Sequence, residues 1–141
     1  MKILQVISSF NPNGAERLLA NCLIAFKQYP VTIELLVLST PSNRSLLQLL
    51  SENRVPVRCL KYRSHIDPRA FLVLRRYVKS NDFDIVHSHL FPADYYAAFC
   101  RSKETKIITT EHSTSNLRQN IKQFNSIEQM VYSRYDEIIC I

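Results

Sequence analysis

Two histidines, His87 and His89, stand near the start of FDIVHSHLFPADYYAAFC (Phe83 to Cys100), where an apolar run gives way to a proline and a helix-like segment. Near pH 7 imidazole can donate or accept a hydrogen bond and can change charge. Alternate residues of a strand share a face. The pair could therefore bind a metal, but no third ligand stands at a convincing spacing and none is expected. The other reading keeps His87 in the strand, bonded within the protein, with His89 freer to face a ligand. Glu111 and His112 form a second candidate pair in TTEHSTSN. Glu111 could be a base or a substrate clamp, or a carboxylate capping the next helix. Glu16 suits the first turn of a helix, and its plain account is a surface pair with Arg17. The hydroxyls of Ser8, Ser9, Thr110 and Ser113 could bond a sugar or cap helices.

Gly14 is the only glycine in the chain. It precedes a helix, whose outward N–H groups favour anions, and it could equally be a turn residue. The Gly-x-Gly-x-x-Gly fingerprint and the P-loop are both missing, which disfavours nicotinamide, flavin and ATP folds of those types. The charge is uneven. Between Arg54 and Lys79 eight basic residues face Asp67 alone, which accounts for the whole net charge of +6. On a helix from Asp67 to about Ser80, Arg69, Arg75, Arg76 and Lys79 fall within about a third of the circumference. This face is either simply solvated or meets anionic lipid or a phosphorylated acceptor. Nucleic acid is not expected, since no recognition motif is present.

These residues need elements to hold them. Buried-strand runs occur at Lys2–Ile7, Thr32–Leu38, Pro56–Leu60, the DIVH segment, Lys106–Thr110 and the EIICI segment. Between them lie helical patterns: from Ala15 with Leu18, Leu19, Cys22, Leu23 and Phe26, then Ser45–Asn53, Asp67 to about Ser80, the ADYYAAFC segment, and roughly Leu117–Arg134. Alternating continuously apolar strands and helices predict an α/β class, a doubly wound Rossmann-like parallel sheet flanked by helices. With strand order 3-2-1-4-5-6 the winding reverses between strands one and four, and ligands gather at the C-terminal strand ends there. The loops SSFNPNG and SHLFP, and Glu111 with His112, then border one crevice.

At 141 residues, 46% hydrophobic and 21% charged, the chain reads as one domain over residues 1–141. No apolar run reaches the roughly 18 residues of a membrane span, and the N-terminus does not read as a signal peptide, so a cytoplasmic protein is expected. Cys22, Cys59, Cys100 and Cys140 lie too far apart for a zinc clip and are expected to be buried, reduced thiols. The sequence stops at Ile141 inside a strand-like run, which suggests a fragment.

Four segments occur in a telling order: MKILQVISSFNPNGAERLLANCL, FDIVHSHLFPADYYAA, TTEHSTSN and YDEIICI. Together they resemble the N-terminal domain of GT-B glycosyltransferases, specifically the retaining family 4. The resemblance implies one half of a GT-B fold, with a C-terminal nucleotide-sugar domain absent from this chain. It implies that His89 faces the reacting sugar as the catalytic candidate. Gly14, Glu111 and His112 would line the cleft, with Asn13, Glu16 and Ser88 as further substrate-binding candidates. The implied co-substrate is a nucleotide sugar, the acceptor a glycan or lipid-linked molecule, and no metal or other cofactor is needed. An anionic membrane surface would meet the basic helix. Other readings are a non-catalytic carbohydrate- or protein-binding module, half of a split transferase, or a nucleotide-sugar epimerase on the same plan.

Overall fold

The computed structural model describes residues 1–60, 62, 67–102, 104–112 and 122–141, with the side chains of 122–125 excepted. Six strands form one parallel sheet: β1 (Lys2–Ile7), β2 (Thr32–Val37), β3 (Val57–Cys59), β4 (Ile85–His89), β5 (Lys106–Glu111) and β6 (Glu137–Cys140). Their order is β3-β2-β1-β4-β5-β6, the expected doubly wound arrangement. The helices are α1 (Gly14–Ala25), α2 (Ser45–Glu52), α3 (Pro68–Ser80), α4 (Ala93–Ala97) and α5 (Lys122–Tyr132), and a short 3-10 turn follows α1 at Phe26–Gln28. The start expected for the last helix, before residue 122, lies outside the described residues.

Two apolar layers clamp the sheet. On one side Ile3 and Ile7 of β1 and Leu35 and Val37 of β2 pack with Leu19, Ala20 and Leu23 of α1 and Leu46 and Leu50 of α2. On the other, Leu4, Val6, Val86 and Ile107 pack with Leu74 and Val78 of α3 and Ala93 and Ala97 of α4. Strands buried on both faces carry apolar residues at most positions, which is why β1 and β2 read as apolar runs rather than alternating ones. Gln5 is the buried polar residue of β1, 3% exposed within KILQVI.

The helix starts follow local chemistry. At α3 the Asp67 carboxylate accepts the N–H of Arg69 at 2.9 Å, and Pro68 occupies the first turn, as the sequence predicts. At α1 the N-cap is Asn13, whose Nδ2 donates to Glu16 Oε1 at 3.2 Å.

The thiols depart from expectation. All four cysteines are free, but only Cys100 is buried; Cys59 is half-buried, and Cys22 and Cys140 are exposed. Cys22 lies on an exposed flank of α1, and β6, which holds Cys140, is exposed along its length. Burial pushes the Cys100 thiol up to about 12, so it is inert at neutral pH.

Candidate functional site

At the reversal the C-terminal ends of β1, β4 and β5 lie side by side, with Ile7 beside His89 and His89 beside Thr110. On the face shared with α1, the pleat brings Gln5, His87, His89 and Thr110 together, and His112 joins them just past β5. These residues line one wall of a crevice of about 260 Å³; Leu18, Cys22 and Phe26 line the α1 side, and Ile139 and Ile141 its far edge.

The polar groups of this wall are bonded to one another. His89 Nε2 lies 2.7 Å from Gln5 Oε1, and His89 Nδ1 lies 3.1 Å from His112 Nε2. His87 Nε2 is 2.7 Å from Thr110 Oγ1, and the rings of His87 and His89 are 4.2 Å apart. Burial disfavours the charged ring. It lowers His87 to about 4, helped by positive charge at His112. Burial, then His87 and His112, hold His89 well below its usual 6.5. His112 is lowered by burial too, against the pull of Glu111 and Glu16. At neutral pH the wall therefore offers uncharged donors and acceptors, suited to hydroxyl groups.

A second set of bonds fixes the loop after β4. Leu90 holds a φ of +64°, in the left-handed region that bulky residues avoid. Ser8, 2% exposed at the end of β1, donates to the Leu90 carbonyl at 2.9 Å and accepts the Ala93 N–H at 3.0 Å. Ser39, beyond β2, donates to the Ser8 carbonyl at 3.0 Å. Asn11 Oδ1 accepts the backbone N–H groups of Ser42 and Asn43 at 3.1 and 3.2 Å, tying the first loop to the second. Ser8 is thus an internal pin, not a free sugar-binding hydroxyl.

The sequence-predicted residues distribute as follows. His89, His112 and Thr110 share the crevice wall. The exposure expected of the histidine pair is reversed: His89 is 4% exposed and His87 is the more open ring. Both still border the crevice, because β4 continues to His89. Glu16 is 3% exposed and does not form the expected surface pair; Arg17 is exposed and its Nε bonds the Pro12 carbonyl instead. Glu111 is half-buried and accepts the Tyr132 hydroxyl; burial, and then this bond, pushes the phenol up. Ser88 is fully buried on the opposite face, its hydroxyl 2.9 Å from that of Tyr135, so it does not line the crevice. Asn13 and Gly14 are exposed at the start of α1, and a Cβ built on Gly14 meets nothing within 4 Å.

Gln5 and Ser8 carry much of this geometry, yet the sequence reading gave Gln5 no role. Its one available signal was a lone amide inside an otherwise apolar strand. Among the described residues no group of His, Cys, Asp or Glu could hold a metal. The basic face of α3 is as expected, with Arg75, Arg76 and Lys79 exposed and Arg69 bonded to Asp67 at 2.6 Å. Leu72, 53% exposed, sits in the middle of that face. Beside it a shallow groove of about 640 Å³ carries Phe71, Tyr95, Tyr96, Phe99, Arg75 and Arg134.

Comparison with known proteins places this architecture. No curated protein matches the sequence. A glycosyltransferase from Rickettsia africae shares 17% identity with a TM-score of 0.73, over 99% of this chain and 36% of that one. Anabaena Alr3699/HepE, solved in complex with UDP and glucose, shares 15% with a TM-score of 0.71, over 98% of this chain and 37% of that one. UDP-GlcNAc 2-epimerase from Methanocaldococcus jannaschii shares 10% with a TM-score of 0.63, over 99% and 39%. The chain thus spans little more than a third of each of these proteins, and at such identities the likeness is one of fold, a Rossmann-like half of the GT-B type. The family model for Glycosyltransferase Family 4 matches residues 12–141. That match takes in the end of the first loop, the histidine strand and the segment after β5, and the chain belongs to Glycosyltransferase Family 4.

Proposed function

We propose that this chain is the acceptor-binding domain of a retaining glycosyltransferase of the hexosyltransferase type, acting in polysaccharide biosynthesis. Its donor is a nucleotide sugar and its acceptor a glycan or a lipid-linked saccharide. The observation that carries this reading is the uncharged wall of His87, His89, Thr110 and His112 at the strand ends of a family member. Glycosyl transfer makes an anomeric carbon with cationic character and a departing diphosphate. A protein contributes by aligning the acceptor hydroxyl and by meeting the developing charges with fixed dipoles. Neutral imidazoles and Thr110 suit the first task. Groups for the diphosphate belong to a second, donor-binding domain, and the solved relatives, each well over twice as long, support that division.

Gly14 begins α1, the helix that lines the crevice further along, and its open surroundings fit a ligand approaching that helix start. In Gly14→Ala the fold should keep its stability to within about 1 kcal/mol, while acceptor binding weakens. Unchanged binding would remove Gly14 from the site. The purified chain alone, given UDP-sugars and candidate acceptors, should transfer nothing; transfer by it would overturn the half-enzyme reading. In the complete enzyme, product of inverted anomeric configuration would overturn the retaining assignment.

An epimerase shares the fold, and interconversion of a nucleotide sugar without acceptor would favour that reading. The chain's basic helix supports a further proposal, contact with an anionic membrane surface through Arg69, Arg75, Arg76 and Lys79, with Leu72 at its centre. A cytoplasmic site is proposed with it. Among the described residues no helix is long and apolar enough to cross a membrane.

A further inference from the structure

Gln5 is a buried amide at the centre of the sheet, and its Oε1 faces His89 Nε2 at 2.7 Å. An amide oxygen can only accept, so His89 must carry its proton on Nε2. A second proton on Nδ1 would create a cation in a 4%-exposed site. The ring's partners there are Gln5, His87 and His112, with no carboxylate hydrogen-bonded to it among the described residues. His89 Nδ1 is therefore a bare lone pair. The 3.1 Å contact with His112 Nε2 then requires His112 to be the donor. This leaves Nδ1 as the acceptor nitrogen of the neutral His112 ring, which is half-buried and lines the crevice.

We propose that Gln5 is a positioning residue that acts through His89 to hold His112 in its Nε2–H tautomer, so that His112 Nδ1 accepts a hydrogen bond from a carbohydrate hydroxyl. The direction of the relay is Gln5 oxygen, His89, His112, ligand hydroxyl. The ligand end rests on the acceptor-site reading above; the tautomers do not. On this assignment His89 is a buried support, and His112 is the imidazole that meets the ligand.

The test is two-bond proton–nitrogen correlation spectroscopy of the labelled chain at pH 7, first without sugar. His89 and His112 should both show a protonated Nε2 and a bare Nδ1. Gln5→Leu removes the acceptor and should turn both rings into tautomer mixtures. Gln5→Glu keeps an acceptor oxygen and should keep His89 protonated on Nε2, but its negative charge favours a second proton on Nδ1, which then donates to His112 Nε2 and moves the His112 proton to Nδ1. A proton on His89 Nδ1 in the unaltered chain would overturn the relay. So would a His112 tautomer that ignores Gln5→Leu while the amide spectrum stays folded. The unaltered chain decides the matter even if Gln5→Leu fails to fold. Methyl α-glucoside at high concentration then probes the ligand end, and the His112 Nδ1 signal should move more than that of His87. Shifts in the crevice that spare His112 Nδ1 would overturn its acceptor role. No shift anywhere would count against the acceptor site itself and leave the relay standing.

Discussion

His87 illustrates how burial turns an ordinary imidazole into a pH-sensitive element of stability. The folded ring takes a proton only near pH 4, whereas an unconstrained one does so near 6.5. Between those values the unfolded chain binds more protons, so stability rises with pH across that window. It is fully present above about pH 6.5 and is lost as the pH falls towards 4. At about 1.4 kcal/mol per pH unit, His87 alone accounts for about 3 kcal/mol, and His89 acts in the same direction. Urea midpoints measured at pH 7, 6, 5 and 4 should fall steadily. His87→Gln, which can still bond Thr110, should flatten the slope. A midpoint constant to pH 4.5 would contradict this account, because Asp67 and Asp136, lowered by their hydrogen bonds, lose their contribution only at more acid pH. Ser8 gives a second prediction at this scale. Ser8→Ala leaves the Ala93 N–H unbonded in a buried place and frees Leu90 from its pin. The cost should be about 1–3 kcal/mol, read as a lower urea midpoint with an unchanged slope.

Among the elements, α3 separates burial from exposure within one amphipathic helix. Leu74 is fully buried between the sheet and the helix layer, and Leu72 is 53% exposed. Leu74→Ala should cost about 2–5 kcal/mol, while Leu72→Ala should stay within about 0.5 kcal/mol. Equal losses would mean that the outer face of α3 is itself covered. The helix was legible in the sequence because its signals are local: an Asp-Pro start and apolar residues at helical spacing. The α1 pattern was equally legible, but its apolar stripe is wider than the surface that buries it. Leu19 and Leu23 enter the core, whereas Leu18 and Cys22 are left at the crevice.

For the whole molecule, the basic face and the crevice belong to different surfaces. The crevice lies on the α1 side of the sheet and α3 packs on the other, so a membrane contact through α3 would leave the crevice open. In liposome co-sedimentation the chain should bind vesicles rich in anionic lipid and not neutral ones, and Arg75→Glu with Arg76→Glu should abolish the difference. Equal binding to both vesicle types would remove the electrostatic contact. The sequence by itself determined the class of fold, the order of the elements and the loops that meet at the reversal, since periodicity, turn residues and strand composition act over a few neighbouring positions. Only the tertiary structure decided how the site is wired. Gln5 meets His89 across 84 positions, and Ser8 meets Leu90 across 82. Which histidine is buried, which face Ser88 takes and why Glu16 is covered all depend on how the strands line up in register. No local pattern encodes that register, because burial is a property of what lies on the far side of the sheet.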